Sequence, residues 1–275
     1  MNVSLNKKNN DTVSVIMAVY NCEKTVSQAI ESILNQTYQD IQFIICNDCS
    51  TDNTAKIVKE YADNYTDKIV FIENKKNLML PSSLNHCLEY VTGKYVARMD
   101  GDDYSYPDRL EKQVSFLKNN PDFDLVGTGM EIFDGKKTVG TIIKKEIPQK
   151  EDTVQTNVFS HATILTYSYV YDVLGGYSLE PRAIRVEDFD LWIRFYFEGF
   201  KGYNIPDTLY RVLEDENTMK RRKFKYRVNG YKTAKYGVNL LGLSKKYLLE
   251  SIFSLLKGLI PKPIYVMLHR IKFKR

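Results

Sequence analysis

The sequence predicts an α/β fold, with a mostly parallel central sheet flanked by helices and a basic, helical C-terminal tail. Three observations carry this. Short β-branched apolar runs alternate with amphipathic helical runs as β-α-β-α-β-α-β in about ninety residues, the pattern of a parallel sheet covered on both faces. At 43% apolar and 12% aromatic, the chain of 275 residues can bury an ordinary core. The charge divides sharply: residues 220–275 hold sixteen Lys or Arg against one acid, Glu250, while residues 1–219 hold twenty-three basic and thirty-three acidic residues. An acidic body (1–219) and a basic tail (220–275) follow, the tail suited to an anionic surface.

Each element has its own signature. Thr12–Val19, "TVSVIMAV", is β-branched and apolar and reads as a buried strand. "KTVSQAIESILNQ" places Val26, Ala29, Ile30, Ile33 and Leu34 on one helical stripe. Ile41–Cys46 is a second strand, and the polar "NDCSTDNT" carries a helix start signal ahead of "AKIVKEYADNY". Lys68–Glu73 is a third strand, 81–92 a helix, and Lys94–Met99 a fourth strand. Pro107 suits a first helical position and opens a helix to about Asn119. "DLVGTGMEIFDGKKTVGTII" reads as two strands joined through "DGKK", and "HATILTY" as strand-like. "VEDFDLWIRFYFEGF" is helical with Phe189, Trp192, Ile193 and Tyr196 on one stripe, and after Pro206 the chain reads as basic and mostly helical.

The four cysteines, Cys22, Cys46, Cys49 and Cys87, fall in the first third of the chain. Cys46 and Cys49 form a C-x-x-C without a second pair or a His pair, so strand and turn positions in a reducing cytoplasm are expected. No run of eighteen apolar residues and no secretory h-region is present, so neither a membrane-spanning helix nor a signal peptide is expected.

In parallel sheets ligands bind beyond the carboxyl ends of the strands. Three polar segments fall there: Tyr20–Glu23, Asn47–Asp52 and Asp100–Asp103. In "MDGDD", residues i and i+2 can point to one side, so Asp100 and Asp102 can converge while Gly101 lets the backbone bend. Two such carboxylates repel, and a divalent cation relieves the conflict, typically with substrate phosphates completing its shell. A solvated acidic turn ahead of the Pro107 helix is the alternative, and Asp108 fits that helix-terminal role. Asp48 could accept from a base or sugar; Ser50, Thr51 and Asp52 are ordinary turn and cap residues. Glu187 and Asp188 open an apolar helix, either as dipole-favoured acids or as a general base for a bound hydroxyl.

Taken in order, these segments resemble the family 2 glycosyltransferases of the GT-A fold. The likeness begins in "VSVIMAVYNCEKTVSQAIESILNQTYQDIQFIICNDCSTDNT". It continues through "GKYVARMDGDD", similar to the family's metal-binding Asp-x-Asp, and "YPDRL", and ends with "LGGYS" and "VEDFDLWIR". It spans about Val13 to Phe200. It implies that Ala18 and Tyr20 meet the nucleotide base, that Asp48 hydrogen-bonds a uracil-type base, and that Asp100 lies near the ribose. It implies further that Asp102 coordinates Mn²⁺ or Mg²⁺ on the diphosphate, with His161 of "SHATIL" near the metal, and that Asp188 is the catalytic base beside Glu187. Asn47 stands where many members have an Asp, and "KNLMLPSSLN" lacks a glycine common in that loop.

The implied activity is inverting transfer of a sugar from a nucleotide-diphosphate donor, UDP favoured over dTDP, to a saccharide or lipid-linked saccharide acceptor in surface-polysaccharide synthesis. Residues 1–219 would be the catalytic domain, working in the cytoplasm, and 220–275 an amphipathic tail meeting the inner membrane face or a second subunit in an oligomer. An NAD(P)-dependent oxidoreductase would need a glycine-rich first turn, and "AVYNCEKT" has none. "KRRKFKYR" suggests nucleic acid, but the acidic body and the absence of a recognised module argue against it. A nucleotidyltransferase of related fold would need a glycine-rich N-terminal loop.

Overall fold

The computed structural model describes residues 11–214 and 224–257. The chain opens with β1 (Val13–Val19), α1 (Val26–Leu34), β2 (Ile41–Asn47), α2 (Thr54–Asn64), β3 (Ile69–Glu73), α3 (Leu80–Leu88) and β4 (Tyr95–Asp100). These are the elements the apolar periodicity predicts, with α3 ending four residues early. β2 and β3 lie on one side of β1 and β4 on the other, all parallel. The strand order reverses at β1, and the crevice at such a switch point is where open α/β sheets bind ligands.

Alternate residues of each strand serve opposite faces, which explains why the strands read as continuous apolar runs. Val13, Val15, Met17 and Val19 join Phe43, Ile45, Ala97 and Met99 in the core under α1 and α2. Ile16, Ile44, Cys46 and Val96 face the opposite core, with Leu84 and Cys87 of α3. All four cysteines are free thiols, Cys46 and Cys87 buried.

Beyond β4 the sheet becomes mixed. β5 (Tyr104–Ser105) and α4 (Arg109–Asn119) precede β6 (Leu125–Phe133) and β7 (Thr138–Ile142), the expected antiparallel pair through "DGKK". After the short α5 (Lys150–Thr153), His161–Thr163 form a 3-10 turn, so only Leu165–Tyr167 (β8) of "HATILTY" is strand. β8 pairs antiparallel with both β4 and β6. α6 (Ser168–Leu174) and α7 (Glu187–Phe197) follow. α7 is buried on two sides, not one: Leu191, Trp192 and Phe195 enter the α3-side core, while Ile193 and Phe189 join Val154 and Val238.

The expectation of a mostly helical chain after Pro206 is wrong for the first stretch. Gly202–Leu213 form β9, which runs parallel to β6 and pairs antiparallel with β5. The register slips twice between Thr128 and Met130, opposite Pro206 and Asp207, so the proline sits at an irregularity where no ladder hydrogen bond is lost. Helix returns with α8 (Phe224–Leu240) and α9 (Leu249–Lys257). α8 packs on the body, with Ala234 and Val238 buried. The amphipathic tail expected of residues 220–275 turns its apolar residues two ways within "KYLLESIFSLLK". Leu248 packs beside Val238, whereas Leu249, Ile252, Phe253 and Leu256 are exposed. "PIYVMLHRIKFKR", with Pro261 and Pro263, and Lys220–Lys223 lie outside the described residues. No helix among the described residues is long and apolar enough to cross a membrane.

Candidate active site

The parallel registers align Ala18 with Cys46 on one side and Asp100 on the other, which brings the three polar segments to one edge. Tyr20 stands just beyond β1 with 49% of its surface exposed. Asn21 takes a left-handed backbone (φ 50°) and locks this turn to the next loop: its Oδ1 accepts from the Thr51 amide at 2.8 Å, and its own amide donates to Ser50 Oγ at 3.1 Å.

Asp48 is 4% exposed and turned inward. Its carboxylate accepts from the Leu78 and Met79 amides at 2.7 and 2.9 Å and from Asn74 Nδ2 at 2.8 Å. Three donors on two oxygens make Asp48 first the anchor of the 77–79 loop, so any contact with a base uses its remaining lone-pair direction. Met79, with φ 70°, is held in strained backbone by this anchoring.

The "MDGDD" carboxylates have different surroundings. Asp100 Oδ2 lies 2.7 Å from Nη1 of Arg98, whose side chain is 1% exposed, and the Asp100 amide donates to Tyr210 Oη at 3.1 Å. Burial works against the Arg98 charge, but the Asp100 carboxylate outweighs it and the guanidinium is held firmly protonated. Asp103 is buried and accepts from the Leu213 amide at 3.0 Å, which ties the acidic turn to β9. Burial, then the charges of Asp100 and Asp102, push its carboxyl well above the usual range. Asp102 is left half-buried at the edge. Gly101 serves close approach rather than a left-handed bend: a Cβ there would meet Val19 Cγ1 at 2.8 Å and Cys22 Sγ at 3.1 Å.

No group of three His, Cys, Asp or Glu side chains that could hold a metal occurs among the described residues. The donor set fits Mg²⁺ or Mn²⁺ nonetheless, because these ions are commonly bound through one or two carboxylates with substrate phosphates and water completing the shell. His161 is turned to the protein: its Nε2 lies 2.8 Å from Tyr177 Oη, and Tyr177 Oη is 2.9 Å from Tyr171 Oη. Burial, then the Arg98 charge, hold the ring neutral.

The start of α7 carries three acids with three environments. Asp190 is fully buried between Arg182 and Arg194, the latter Nε at 2.7 Å. Arg194 goes on to donate to the carbonyls of Leu174 and Gly176 at 2.7 and 3.0 Å. "LGGYS" is therefore a helix end: Gly175 and Gly176 both take positive φ, and a Cβ on Gly176 would meet Asn85 Oδ1 at 2.5 Å. Asp188 accepts from Asn157 Nδ2 at 2.7 Å and from the Phe189 amide at 2.8 Å, and burial raises its carboxyl above the ordinary range. Glu187 is 8% exposed, its Oε2 without a partner among the described residues, and burial followed by the Asp188 charge raises it too.

The two acids open on different spaces. Glu187 lines a cavity of about 140 Å³ whose other wall is Leu78–Ser82, the loop anchored by Asp48. Asp188 lines a cavity of about 590 Å³ toward α8 and α9. Arg185, at φ 65°, lines both. Asp103 was read only as part of the acidic segment, and Asp190 and Arg98 were missed in the sequence; the i, i+4 spacing of Asp190 and Arg194 was a readable signal.

Comparison with known proteins gives the family and the fold. A family model described as glycosyl transferase family 2 matches residues 14–172. A Bacillus subtilis protein named as glycosyltransferase EpsE is 48% identical over 217 residues, covering 79% of this chain and 78% of its own. The Escherichia coli UDP-Glc:alpha-D-GlcNAc-diphosphoundecaprenol beta-1,3-glucosyltransferase WfaP is 29% identical over 214 residues, 74% of this chain and 78% of its own. The mannosyltransferase PcManGT from Pyrobaculum calidifontis, solved with GDP-Man and Mn²⁺, superposes with a TM-score of 0.65 at 18% identity, covering 94% of this chain and 78% of its own. The switch-point edge, the acids that open α7 and these likenesses lead to one conclusion: the chain belongs to glycosyl transferase family 2 and has the GT-A type fold.

Proposed function

We propose that the chain transfers a sugar from a UDP-linked donor to a hydroxyl of a lipid-linked saccharide, with inversion, during assembly of a surface polysaccharide. The observation that carries this is Asp188, a half-buried carboxylate with raised proton affinity lining a cavity at the start of α7. Raised proton affinity makes such a carboxylate a better acceptor for the proton of a poor nucleophile. Tyr20 stacks on the base of the donor, the Asp48-anchored loop shapes the pocket, and Asp100, aimed by Arg98, meets the ribose. Asp102 supplies the protein carboxylate for Mn²⁺ or Mg²⁺, which would stabilise the charge that develops on the departing diphosphate. Attack opposite the leaving group, with Asp188 taking the proton, inverts the anomeric centre.

UDP and the lipid-linked acceptor are supported by the likeness to WfaP, and the metal by PcManGT, whose GDP-Man donor also indicates that this fold takes more than one base. The exposed Leu249, Ile252, Phe253 and Leu256, beside Lys245 and Lys246, would rest on the anionic cytoplasmic face of the membrane where such an acceptor is anchored. The test is turnover of a panel of UDP-, dTDP- and GDP-sugars with Mn²⁺, with Mg²⁺ and with EDTA. Metal-dependent consumption of a UDP-sugar is expected; preference for a purine donor, or turnover indifferent to EDTA, would refute the reading.

A further inference from the structure

The cavity of about 590 Å³ beyond Asp188 has walls from two parts of the chain. Asn157, Asp188 and Phe189 come from the body, and Tyr226, Tyr231 and Glu250 from α8 and α9. The C-terminal helices are pinned in place. Asn229 Nδ2 donates to the Ile184 carbonyl and Thr233 Oγ1 to the Arg182 carbonyl, both at 2.9 Å, and the Arg182 guanidinium lies 3.6 Å from the Tyr236 ring centre. Arg227 Nη1 donates to the Ser254 carbonyl at 2.8 Å and so holds α9 against α8. α8 thus grips residues 182–184, the backbone that leads into Glu187 and Asp188.

The volume lies in the range of small-molecule sites, roughly 300–1,000 Å³. The lining joins aromatic rings, which pack against the C–H face of a pyranose, to amide, carboxylate and hydroxyl groups, which match its hydroxyls. We propose that this cavity receives the terminal sugar of the acceptor, and that Tyr226, Tyr231 and Glu250 make α8 and α9 the element that selects it. The proposal rests on Asp188 being the base, because that carboxylate ties the cavity to the transfer step. It predicts that acceptor choice resides in the C-terminal helices, apart from the donor edge at β1–β4.

Gly230 offers a clean perturbation. It lines the cavity from α8, and a Cβ there would meet only Val186 Cγ1, at 4.0 Å. Alanine and leucine are both better helix formers than glycine, so neither Gly230→Ala nor Gly230→Leu weakens the helix, but leucine fills the cavity. The assay is ligand-observed saturation-transfer NMR of the full chain with UDP, diamagnetic Mg²⁺ and, singly, the methyl glycosides of glucose, galactose, mannose, N-acetylglucosamine and N-acetylgalactosamine. At least one glycoside is expected to bind the wild type and Gly230→Ala, and to bind Gly230→Leu and Tyr231→Ala more weakly by roughly tenfold or more. UDP signals should be equal in all four proteins. Absence of glycoside binding to the wild type, or undiminished binding to both Gly230→Leu and Tyr231→Ala, would overturn the assignment while the UDP signal still upheld the donor site. Loss of the UDP signal from the wild type would sink both readings.

Discussion

Asp188 and Asp190 stand two residues apart on α7 in opposite surroundings, so, if Asp188 is the base as proposed, replacing each by Asn separates catalysis from stability. Asp190 has no exposed surface and is paired with Arg182 and Arg194. Asp190→Asn leaves two guanidinium groups without their counter-charge. Breaking a buried ion pair in this way costs about 3–5 kcal/mol, a large share of a typical 5–15 kcal/mol. For a chain of this size that is a fall in melting temperature of roughly 6–20 °C. Asp188 is the reverse case. Burial raises its proton affinity in the folded state, so the ionised form is disfavoured there relative to the unfolded chain. Such a group takes stability away as pH rises through the window between its unfolded and its raised folded pKa. Asp188→Asn removes that penalty and should leave the melting temperature at pH 7 unchanged or higher. Transfer should fall by about 10² to 10⁴, or roughly 2.7–5.4 kcal/mol of barrier, with UDP affinity kept. Thermal unfolding by circular dichroism, calorimetric UDP titration and sugar transfer decide this. If Asp188→Asn melts as low as Asp190→Asn, or if it transfers sugar at the wild-type rate, the division of labour is wrong.

Other expectations follow from the same geometry. Asp102→Ala should abolish metal-dependent turnover without lowering the melting temperature, since the half-buried side chain leaves no core void; wild-type rates with Mn²⁺ present would contradict the metal assignment. Asp48→Ala strands the Leu78 and Met79 amides, at about 1–3 kcal/mol for each buried donor left unmade, and should raise the donor KM more than it lowers kcat; an equal fall in kcat alone would place Asp48 in the chemistry. kcat should rise with pH through an acid limb above the ordinary carboxylate range, because Asp188 must lose its proton first; Asn157→Leu removes a hydrogen bond that favours the ionised form and should move the limb further up. Sedimentation with anionic vesicles at low salt should pull down the full chain, and a form with Leu249, Ile252, Phe253 and Leu256 changed to Ser should stay in solution; equal binding of the two would remove the membrane role from α9.

The first half of the fold was legible because its signals are local. β1 to β4 are buried on both faces, so their apolar runs stand out, and the polar residues after each strand mark the binding edge. β9 was illegible because Pro206 interrupts it and its pairing with β6 joins residues some eighty positions apart. The site shows the same division. That acids cluster at the end of β4 and the start of α7 is visible in the sequence, but which acid is spoken for is not. Arg98 claims Asp100, β9 claims Asp103, and two arginines claim Asp190. Asp188, bonded to Asn157 and to the Phe189 amide, is the one of these acids that lines the larger cavity, and only the folded partners show it. The two glycines of "LGGYS" are likewise explained by the helix end and the nearby Asn85, contacts ninety residues apart in the chain.

The stereochemistry of transfer tests the central claim most directly. With a UDP-α-sugar, Mn²⁺ and a saccharide acceptor, proton NMR of the first-formed product reads the anomeric configuration from its coupling constant. A single displacement with Asp188 as base predicts a β-linked product, formed by the wild type and absent with Asp188→Asn. An α-linked product, or a β-linked product formed equally well by Asp188→Asn, would contradict it.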